Sequence, residues 1–449
     1  NYKYLILFLY LQTNLRIMIQ EIKVKNFLSF RDEVRLNFEA SNDKFAEDCQ
    51  VITMNDAAKT RLLRLGLIYG YNASGKSNLL KVFEFLNFFW NYRPASPERG
   101  TRVPAFKLNE SSINETSKFD LVFFVGDTKY WYQLELDSKE VHLEKLSYYK
   151  STQPIMLFER IMRDGQSEVS FNNQNGDKVS AIVKEKITVE CLKNMSFFVA
   201  RDSANANLPL IDAAKLWLRN QIMGMIYPQT ELTRYAQMLT SQDNSLVGHL
   251  LDFLHEADFN ITNITTDVIT EKLSEEAVNY IIDHNQMSTD EKERLIVEKS
   301  IKRHKTIFEH TVENEQGRAS YGFILSEESL GTLKTFGLET ALYEAVQNNA
   351  FLPIDEIENS LHPKLLEKIL FEYLKELSRS QILVTTHNDG LLDLVGDLIR
   401  KDSIWFTEKD LSGATDLYKL TDFRGVNRIS SIREAYRNKR FGATMNNEK

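Results

Sequence analysis

Apolar and polar positions alternate at the start of the chain. Ile19, Ile22, Val24 and Phe27 mark one strand, and Phe30, Val34, Leu36 and Phe38 mark a second. That period of two is the signature of a half-buried strand. Residues 41–60 are polar and read as loop. A continuous apolar run follows at 62–69, then a helix-spaced pattern over 78–89 with Leu79, Leu80, Val82, Phe83 and Leu86. Residues 91–116, rich in Pro, Ser, Asn and Glu, read as a surface excursion. From 118 to 149 the pattern is β again. Segments 119–125 and 130–136 predict a hairpin turned at Gly126-Asp127, and a strand near 141–149 completes a meander. More β-like segments run through 155–171, with turns at Asp164-Gly165 and Asn175-Gly176.

The period changes after residue 208. Segments 210–226, 232–238, 246–254 and 288–301 carry helix-spaced apolar positions, and Ser288-Thr289-Asp290-Glu291 reads as a helix start. No apolar heptad is sustained, so a long coiled-coil arm is not expected. β patterning resumes at 305–312 and 319–325. A helix over 333–345, a strand at 350–354, a helix over 363–377 and a strand at 381–387 follow. The expected class is α/β. A mixed sheet flanked by helices carries an antiparallel β subdomain and an inserted helical subdomain. The expected divisions are an N-terminal extension at 1–17, an N-terminal lobe at 18–207, a helical insertion at 208–302 and a C-terminal lobe at 303–449.

Composition adds bounds. At 449 residues the chain is long enough for two or three domains. Hydrophobic content of 43% and charged content of 26% are ordinary for a globular protein. A net charge of −8 argues against wholesale coating of nucleic acid, though a local basic patch is compatible with it. Cys49 and Cys191 are far apart, form no metal-type spacing and fit a reducing compartment. The apolar run at 4–11 is too short to cross a bilayer and no small-residue cleavage site follows it. A clean domain start at Met18 leaves 1–17 as an upstream extension. The expectation is a cytoplasmic protein with no membrane partner.

The chemistry begins at Gly70-Tyr71-Asn72-Ala73-Ser74-Gly75-Lys76-Ser77, followed by Asn78. It fits G-x-x-x-x-G-K-[ST] between a strand and a helix, the context a phosphate-binding P-loop requires. Tight turning at the glycines lets consecutive amides face phosphate oxygens, and the helix N-terminus adds positive potential. Lys76 can reach the β- and γ-phosphates of ATP, and Ser77 can ligate Mg2+. The bland alternative, a Gly-rich turn before an ordinary helix, does not account for the full pattern.

A P-loop alone gives binding, whereas hydrolysis needs a metal carboxylate, a base and a γ-phosphate sensor. The run at 350–354 ends in Asp355-Glu356, which supplies a Mg2+ carboxylate and a group to polarise water. Pro353 departs from a central strand, because proline donates nothing to a ladder. The run at 381–387 ends in His387, whose neutral imidazole can bond a phosphate or the attacking water. Ser329 and Gly331 stand just before a helix, where a hydroxyl and a glycine make an anion-binding cap. A plain helix cap is the competing reading there.

Together these residues resemble a family. P-loop, Ser-x-Gly before a helix, Asp-Glu strand and His after the next strand follow the order of ABC-type ATPase heads of the SMC, RecF and OLD group. Within it the chain is similar to stand-alone bacterial AAA family ATPases tied to restriction and abortive infection, the RloA-like proteins and the ATPase subunits of PARIS and Septu. The residues that carry the likeness are 22–30, 71–78, Glu328-Ser329-Leu330-Gly331-Thr332, 354–363, Thr385-Thr386-His387-Asn388, 404–410 and 440–443. The likeness covers about 18–90 and 320–443. Glu-Ser-Leu-Gly-Thr departs from the transporter-like Leu-Ser-Gly-Gly-Gln, but Ser329 and Gly331 keep their places.

The resemblance implies a mechanism and partners. Two heads close face to face around two ATP molecules, each shared between the P-loop of one copy and Ser329–Gly331 of the other. The chain is then a homodimer or higher homo-oligomer. A separately encoded effector, a nuclease or toxin, is its expected partner in anti-phage defence, and DNA or a phage component is a further expected ligand. A DNA-repair ATPase of the RecF or SMC type and an ATP-stabilised scaffold with little turnover are alternatives. A fused Toprim nuclease is not expected, because only about sixty residues follow His387 and no Asp-x-Asp stands among them. Arg303 and His310 fall at an RNase-like R-x6-H spacing, but their surroundings predict a strand, not the helix that chemistry needs.

Overall fold

The computed structural model describes residues 17–257, 260–284, 287, 289–315 and 317–443. All of the expected extension 1–17 except its last residue, and Ser288 of the expected helix start, lie outside the described residues. The chain forms two units, one of residues 1–228, 344–359 and 369–449 and one of residues 229–343 and 360–368.

In the first unit, β1 (Ile17–Lys25) pairs antiparallel with β2 (Val34–Asn37). The polar stretch 41–60 is not all loop. It holds one helical turn, Glu47–Gln50, and β3 (Val51–Thr53), which pairs with β4 (Arg61–Leu63). Three residues are too few to display a period, which is why the sequence reads as loop. β5 (Leu65–Tyr69) then enters the P-loop, and α1 (Lys76–Asn91) leaves it. The meander is as the alternation predicts: β6 (Ser117–Val125), β7 (Thr128–Leu136), β8 (Val141–Tyr149), β9 (Pro154–Arg163) and β10 (Gln166–Phe171). They extend the first pair into a seven-stranded antiparallel sheet ordered β10-β9-β8-β7-β6-β1-β2. Three helices follow: α2 (Ala181–Glu190), α3 (Phe197–Arg201) and α4 (Pro209–Asn220).

The second unit carries α5 (Thr233–Thr240), α6 (Asn244–Glu256), β11 (Ile261–Lys272), α7 (Glu275–His284) and α8 (Thr289–Glu298). After them come β12 (Ser300–Asn314), β13 (Gly317–Ile324) and most of α9 (Leu330–Gln347). α5, α6 and α8 stand where their apolar spacing puts them, whereas α7 falls where no helix is expected. The segment is not wholly helical, however. β11 lies inside the expected helical insertion and pairs antiparallel with β12 from Ile261↔His310 to Lys272↔Ser300. Only Ile261 and Ile264 of this strand are buried, so it offers no alternation to read. Its cross-strand partner decides its conformation. Arg303 and His310 lie on β12, a strand as expected, and pair with Glu271 and Glu328.

The chain returns to the first unit in β14 (Phe351–Ile354). α10 (Pro363–Lys375), β15 (Gln381–Thr385), β16 (Ile404–Lys409), β17 (Thr415–Lys419) and α11 (Ile432–Arg437) follow. The second sheet of this unit is ordered β14-β15-β5-β16-β17, with parallel pairing from β14 to β16 and an antiparallel β17. Every residue of β5, β14 and β15 is buried, as parallel strands covered on both faces must be. The exception raised by Pro353 resolves in the backbone. Phe351 and Asp355 donate their N–H groups to Gln221 and Ile226, away from β15. Pro353 shares their side of the strand, so its missing N–H costs no bond to β15.

α1 packs into the core around both sheets. Phe85 lies 5.4 Å from Phe119 of β6, and Phe83 lies 4.5 Å from Phe351 of β14, ring centre to ring centre. Its buried Leu79, Leu80, Val82, Phe83 and Leu86 are the positions the sequence assigns inward, and Phe85, Phe89 and Trp90 are buried with them. A helix so anchored holds its N-terminus at a fixed point, and the P-loop ends there.

Candidate functional site

The loop between β5 and α1 is shaped by its glycines. Gly75 has φ +107°, and a Cβ there would sit 2.4 Å from Thr415 Oγ1 and 2.8 Å from Ser29 Oγ. Only glycine fits both the conformation and the space. A Cβ on Gly70 would lie 2.4 Å from Ser74 Oγ and 2.7 Å from the Thr407 carbonyl oxygen. Ser74 and Thr407 hydroxyls meet at 2.7 Å, and Thr415 Oγ1 lies 2.8 Å from Ser29 Oγ and 2.9 Å from the Ser74 carbonyl. Asn78 donates to Ser29 Oγ at 2.9 Å. Tyr71 reaches across to the backbone of Lys409, its hydroxyl 3.1 Å from the carbonyl. The loop is therefore braced from β16, β17 and the turn after β1. No side chain caps the N-terminus of α1, which leaves that end of the helix to an anion.

Lys76 is buried, and its Nζ donates to the carbonyls of Gly70 at 2.8 Å and Tyr71 at 3.3 Å. Burial pulls its pKa down from 10.5 to about 8, against the opposing pull of Asp355, Glu356 and Glu358.

The end of β14 meets the start of α1. Ser77 Oγ donates to Asp355 Oδ1 at 2.9 Å, and Thr385 Oγ1 donates to the same oxygen at 2.6 Å. Asp355 is 7% exposed. Glu356, the next residue, has φ +49°, a left-handed conformation that costs a non-glycine residue about 1 kcal/mol or more. That turn takes it out of the strand and into the open. Its Oε1 lies 3.6 Å from His387 Nε2, and the His387 amide donates to Glu358 Oε1 at 2.5 Å. A cavity of about 430 Å³ receives all of this, lined by residues 72–78 with Lys81, Glu356, His387 and Lys409.

The residues present fit Mg2+ and a nucleotide phosphate chain. Ser77 and Asp355 are hard oxygen donors already held together, of the kind Mg2+ takes beside phosphate oxygens. The Gly75 cradle, the uncapped helix end and the Lys76 ammonium face the same space. The structure brings Gly70 to Asn78, Asp355, Glu356 and His387 together in one unit. Ser329 and Gly331 belong to the other unit. There Ser329 Oγ accepts the Thr332 amide at 3.0 Å and caps α9. Ser329 and Leu330 are exposed. A Cβ on Gly331 would meet nothing nearer than 3.7 Å.

Four residues at this site carry no motif of their own. Thr385, Thr407 and Thr415 are brought to it by sheet pairing, and Ser29 by the turn after β1. Ser29, Thr385 and Thr407 fall in stretches that carried the family likeness, and Thr385 stands two residues before His387, the one positional signal among them.

Among solved structures, the chain is similar to the SMC head domain from Thermotoga maritima, at 13% identity and a TM-score of 0.40, over 89% of this chain and 98% of that one. A second is an Smc head bound to the C-terminal winged-helix domain of ScpA, at 12% identity and a TM-score of 0.42, over 93% and 99%. A third is an Smc head with an extended coiled coil bound to the C-terminal domain of ScpA, from Pyrococcus furiosus, at 12% identity and a TM-score of 0.38, over 95% and 99%. Likenesses this distant carry no argument about what the chain does. No curated protein matches it. No helix among the described residues is long and apolar enough to cross a membrane. A family model does match, over residues 67–189 and 201–393, which is well over half of the chain and takes in the P-loop, Asp355, Glu356 and His387. The chain thus belongs to the family described as "AAA domain, putative AbiEii toxin, Type IV TA system", a P-loop ATPase family.

Proposed function

We propose that the chain binds and hydrolyses ATP in a site completed by a second copy, and that this cycle controls a separately encoded nuclease or toxin in anti-phage or abortive-infection defence. The observation that carries the enzymatic part is the shared acceptor. Ser77 from the P-loop and Thr385 from β15 both donate to Asp355 Oδ1, while Glu356 and His387 line the same cavity. Ser77 and Asp355 would hold Mg2+, which supplies charge neutralisation at the phosphates. Lys76 and the amides of residues 72–78 bind and orient the phosphate chain. Glu356 takes a proton from the attacking water, and His387 positions that water or a phosphate oxygen.

The second copy enters through Ser329 and Gly331. Both sit at an exposed helix N-terminus, and nothing in Gly331's own surroundings requires a glycine. A glycine kept for close approach by another molecule accounts for that, and the γ-phosphate side of a facing copy's site is the approach proposed here. The family's printed description, which couples an AAA domain with "putative AbiEii toxin, Type IV TA system", supports a place in defence.

Glu356→Gln tests the chemistry. The variant is expected to bind ATP like the wild type and to turn it over at least about tenfold more slowly, the low end for a positioned base. Turnover at the wild-type rate removes Glu356 from the role.

A further inference from the structure

Thr385 makes three connections to three consecutive residues. Its hydroxyl donates to Asp355 Oδ1 at 2.6 Å and accepts the Glu356 amide at 2.9 Å. Its carbonyl accepts the Ile357 amide at 3.2 Å. The side chain is fully buried, so no water competes for the hydroxyl. A hydroxyl has one proton to give and can accept in return, and here both capacities go to the segment that carries the metal carboxylate and the base. That segment needs holding. Glu356 sits at φ +49°, and a glutamate left to itself relaxes out of the left-handed region. Two residues further on, the same strand end delivers His387, whose Nε2 lies 3.6 Å from Glu356 Oε1.

We infer that Thr385 is a positioning residue for hydrolysis: its hydroxyl sets Asp355 and Glu356 in fixed relation and aims Glu356 at the cavity beside His387. The inference rests on the proposed role of Glu356 as base and adds what keeps it in place. Thr385 is buried and does not line the cavity. It acts through the turn at Glu356. Valine is the same shape without the hydroxyl, and serine keeps the hydroxyl without the methyl group.

Four proteins settle it: the wild type, Thr385→Val, Thr385→Ser and the double variant Thr385→Val with Glu356→Gln. ATP turnover, affinity for a fluorescent ATP analogue and melting temperature are measured on each. Thr385→Val is expected to lower kcat at least about tenfold, since a base displaced by an ångström is a poor base. KM and analogue affinity should change less than about threefold, because the P-loop contacts are intact. Thr385→Ser is expected to keep kcat within about threefold of the wild type. In the Glu356→Gln background, Thr385→Val should change turnover less than about twofold, since two groups acting as one unit are not additive.

The outcomes separate the two ideas. A wild type without turnover, or a Glu356→Gln variant as fast as the wild type, overturns the base and with it this role of Thr385. A slow Glu356→Gln with an undiminished Thr385→Val overturns Thr385 alone. So does a Thr385→Val defect of the same size in both backgrounds, which marks a merely structural part. A Thr385→Val protein that fails to fold transfers the decision to Thr385→Ser, whose loss of turnover despite its hydroxyl would also overturn the inference.

Discussion

Gly75 and Gly331 stand in corresponding places, each at the N-terminus of a helix that the proposed mechanism points at phosphate, yet their surroundings differ. Gly75 is required by its own chain. It holds φ +107°, and Thr415 and Ser29 leave no room for a methyl group. Gly331 has ordinary helical space around it, with nothing within 3.7 Å of the atom a side chain would add. The P-loop is a finished object, cross-braced by Ser74–Thr407 and Thr415–Ser29 contacts. The Ser329–Gly331 end has its hydroxyl capping its own helix, and the residue between the two, Leu330, is 61% exposed. A site whose geometry is complete in one chain can be tested in one chain. A surface whose composition the chain itself does not explain has to be tested with two.

The largest expected effect is at the finished half. Lys76→Ala should weaken ATP binding by at least about a hundredfold, the cost of a buried ammonium lost from phosphate. Titration calorimetry reads it directly, and unchanged affinity would sink the P-loop reading. The same variant, paired with a second, tests whether each site is shared between two copies. Ser329→Arg places a bulky cation on the surface proposed to face the other copy's nucleotide. Each variant alone should be inactive. Mixed in equal amounts, half of the dimers would combine one of each, and each of those would hold a single site with both halves wild type. About a quarter of wild-type turnover should return, if pairing is random and isologous. No recovery on mixing means that the two halves are not shared between copies.

How much of this was legible follows from how each feature is encoded. The P-loop, Asp355-Glu356 and His387 could be read because each closes an apolar run within a few residues, so strand, loop and function are contiguous. The meander was legible because β6 and β7 alternate, with burial at every other position through much of both. β11 was not, because a mostly exposed strand carries no alternation, and its conformation is a property of β12 as much as of its own residues. The contacts of Thr407 and Thr415 with Ser74 were out of reach for another reason. Those residues meet Ser74 only because β16 runs parallel to β5 and β17 folds back on β16, and no local pattern announces a pairing across more than 300 residues of sequence. Pro353 looked like an objection to the strand and was one only on the assumption that its N–H was needed on the β15 side.

A smaller effect bears on the finished half. The Lys76 ammonium sits near pKa 8 because burial disfavours its charge. The sign follows from linkage. Below about pH 8 folded and unfolded chains both hold the proton. Between about 8 and the unfolded value of 10.5 the folded chain has released it and the unfolded chain has not, so this group's penalty on stability fades as pH rises. Phosphate binding runs the other way, since it needs the cation. Affinity for ATP should therefore fall as pH rises through 8, by up to about tenfold per unit, with proton uptake on binding. Calorimetry in buffers of different ionisation enthalpy measures that uptake. Its absence at pH 9 would mean that Lys76 keeps its charge there.

The smallest effect on stability is also the sharpest cut between the halves. Gly331→Ala adds a methyl group where the chain has room for it and replaces a residue that disfavours a helix by about 1 kcal/mol relative to alanine. If Gly331 answered only to its own fold, the substitution would be silent or stabilising, by about 0.5 to 1 kcal/mol, seen as a slightly higher melting temperature. If it exists to let another copy's phosphate close on the amides at the start of α9, the same methyl group stands in the way. The expected result is the combination: a chain as stable as the wild type or more so, with ATP affinity retained at its own P-loop and with turnover and ATP-dependent dimerisation both reduced. Gly75→Ala offers the contrast, because there the methyl group collides with Thr415 and Ser29 of the same chain, and binding itself should go. A Gly331→Ala protein that is stabilised and fully active would leave Ser329 as a helix cap and nothing more.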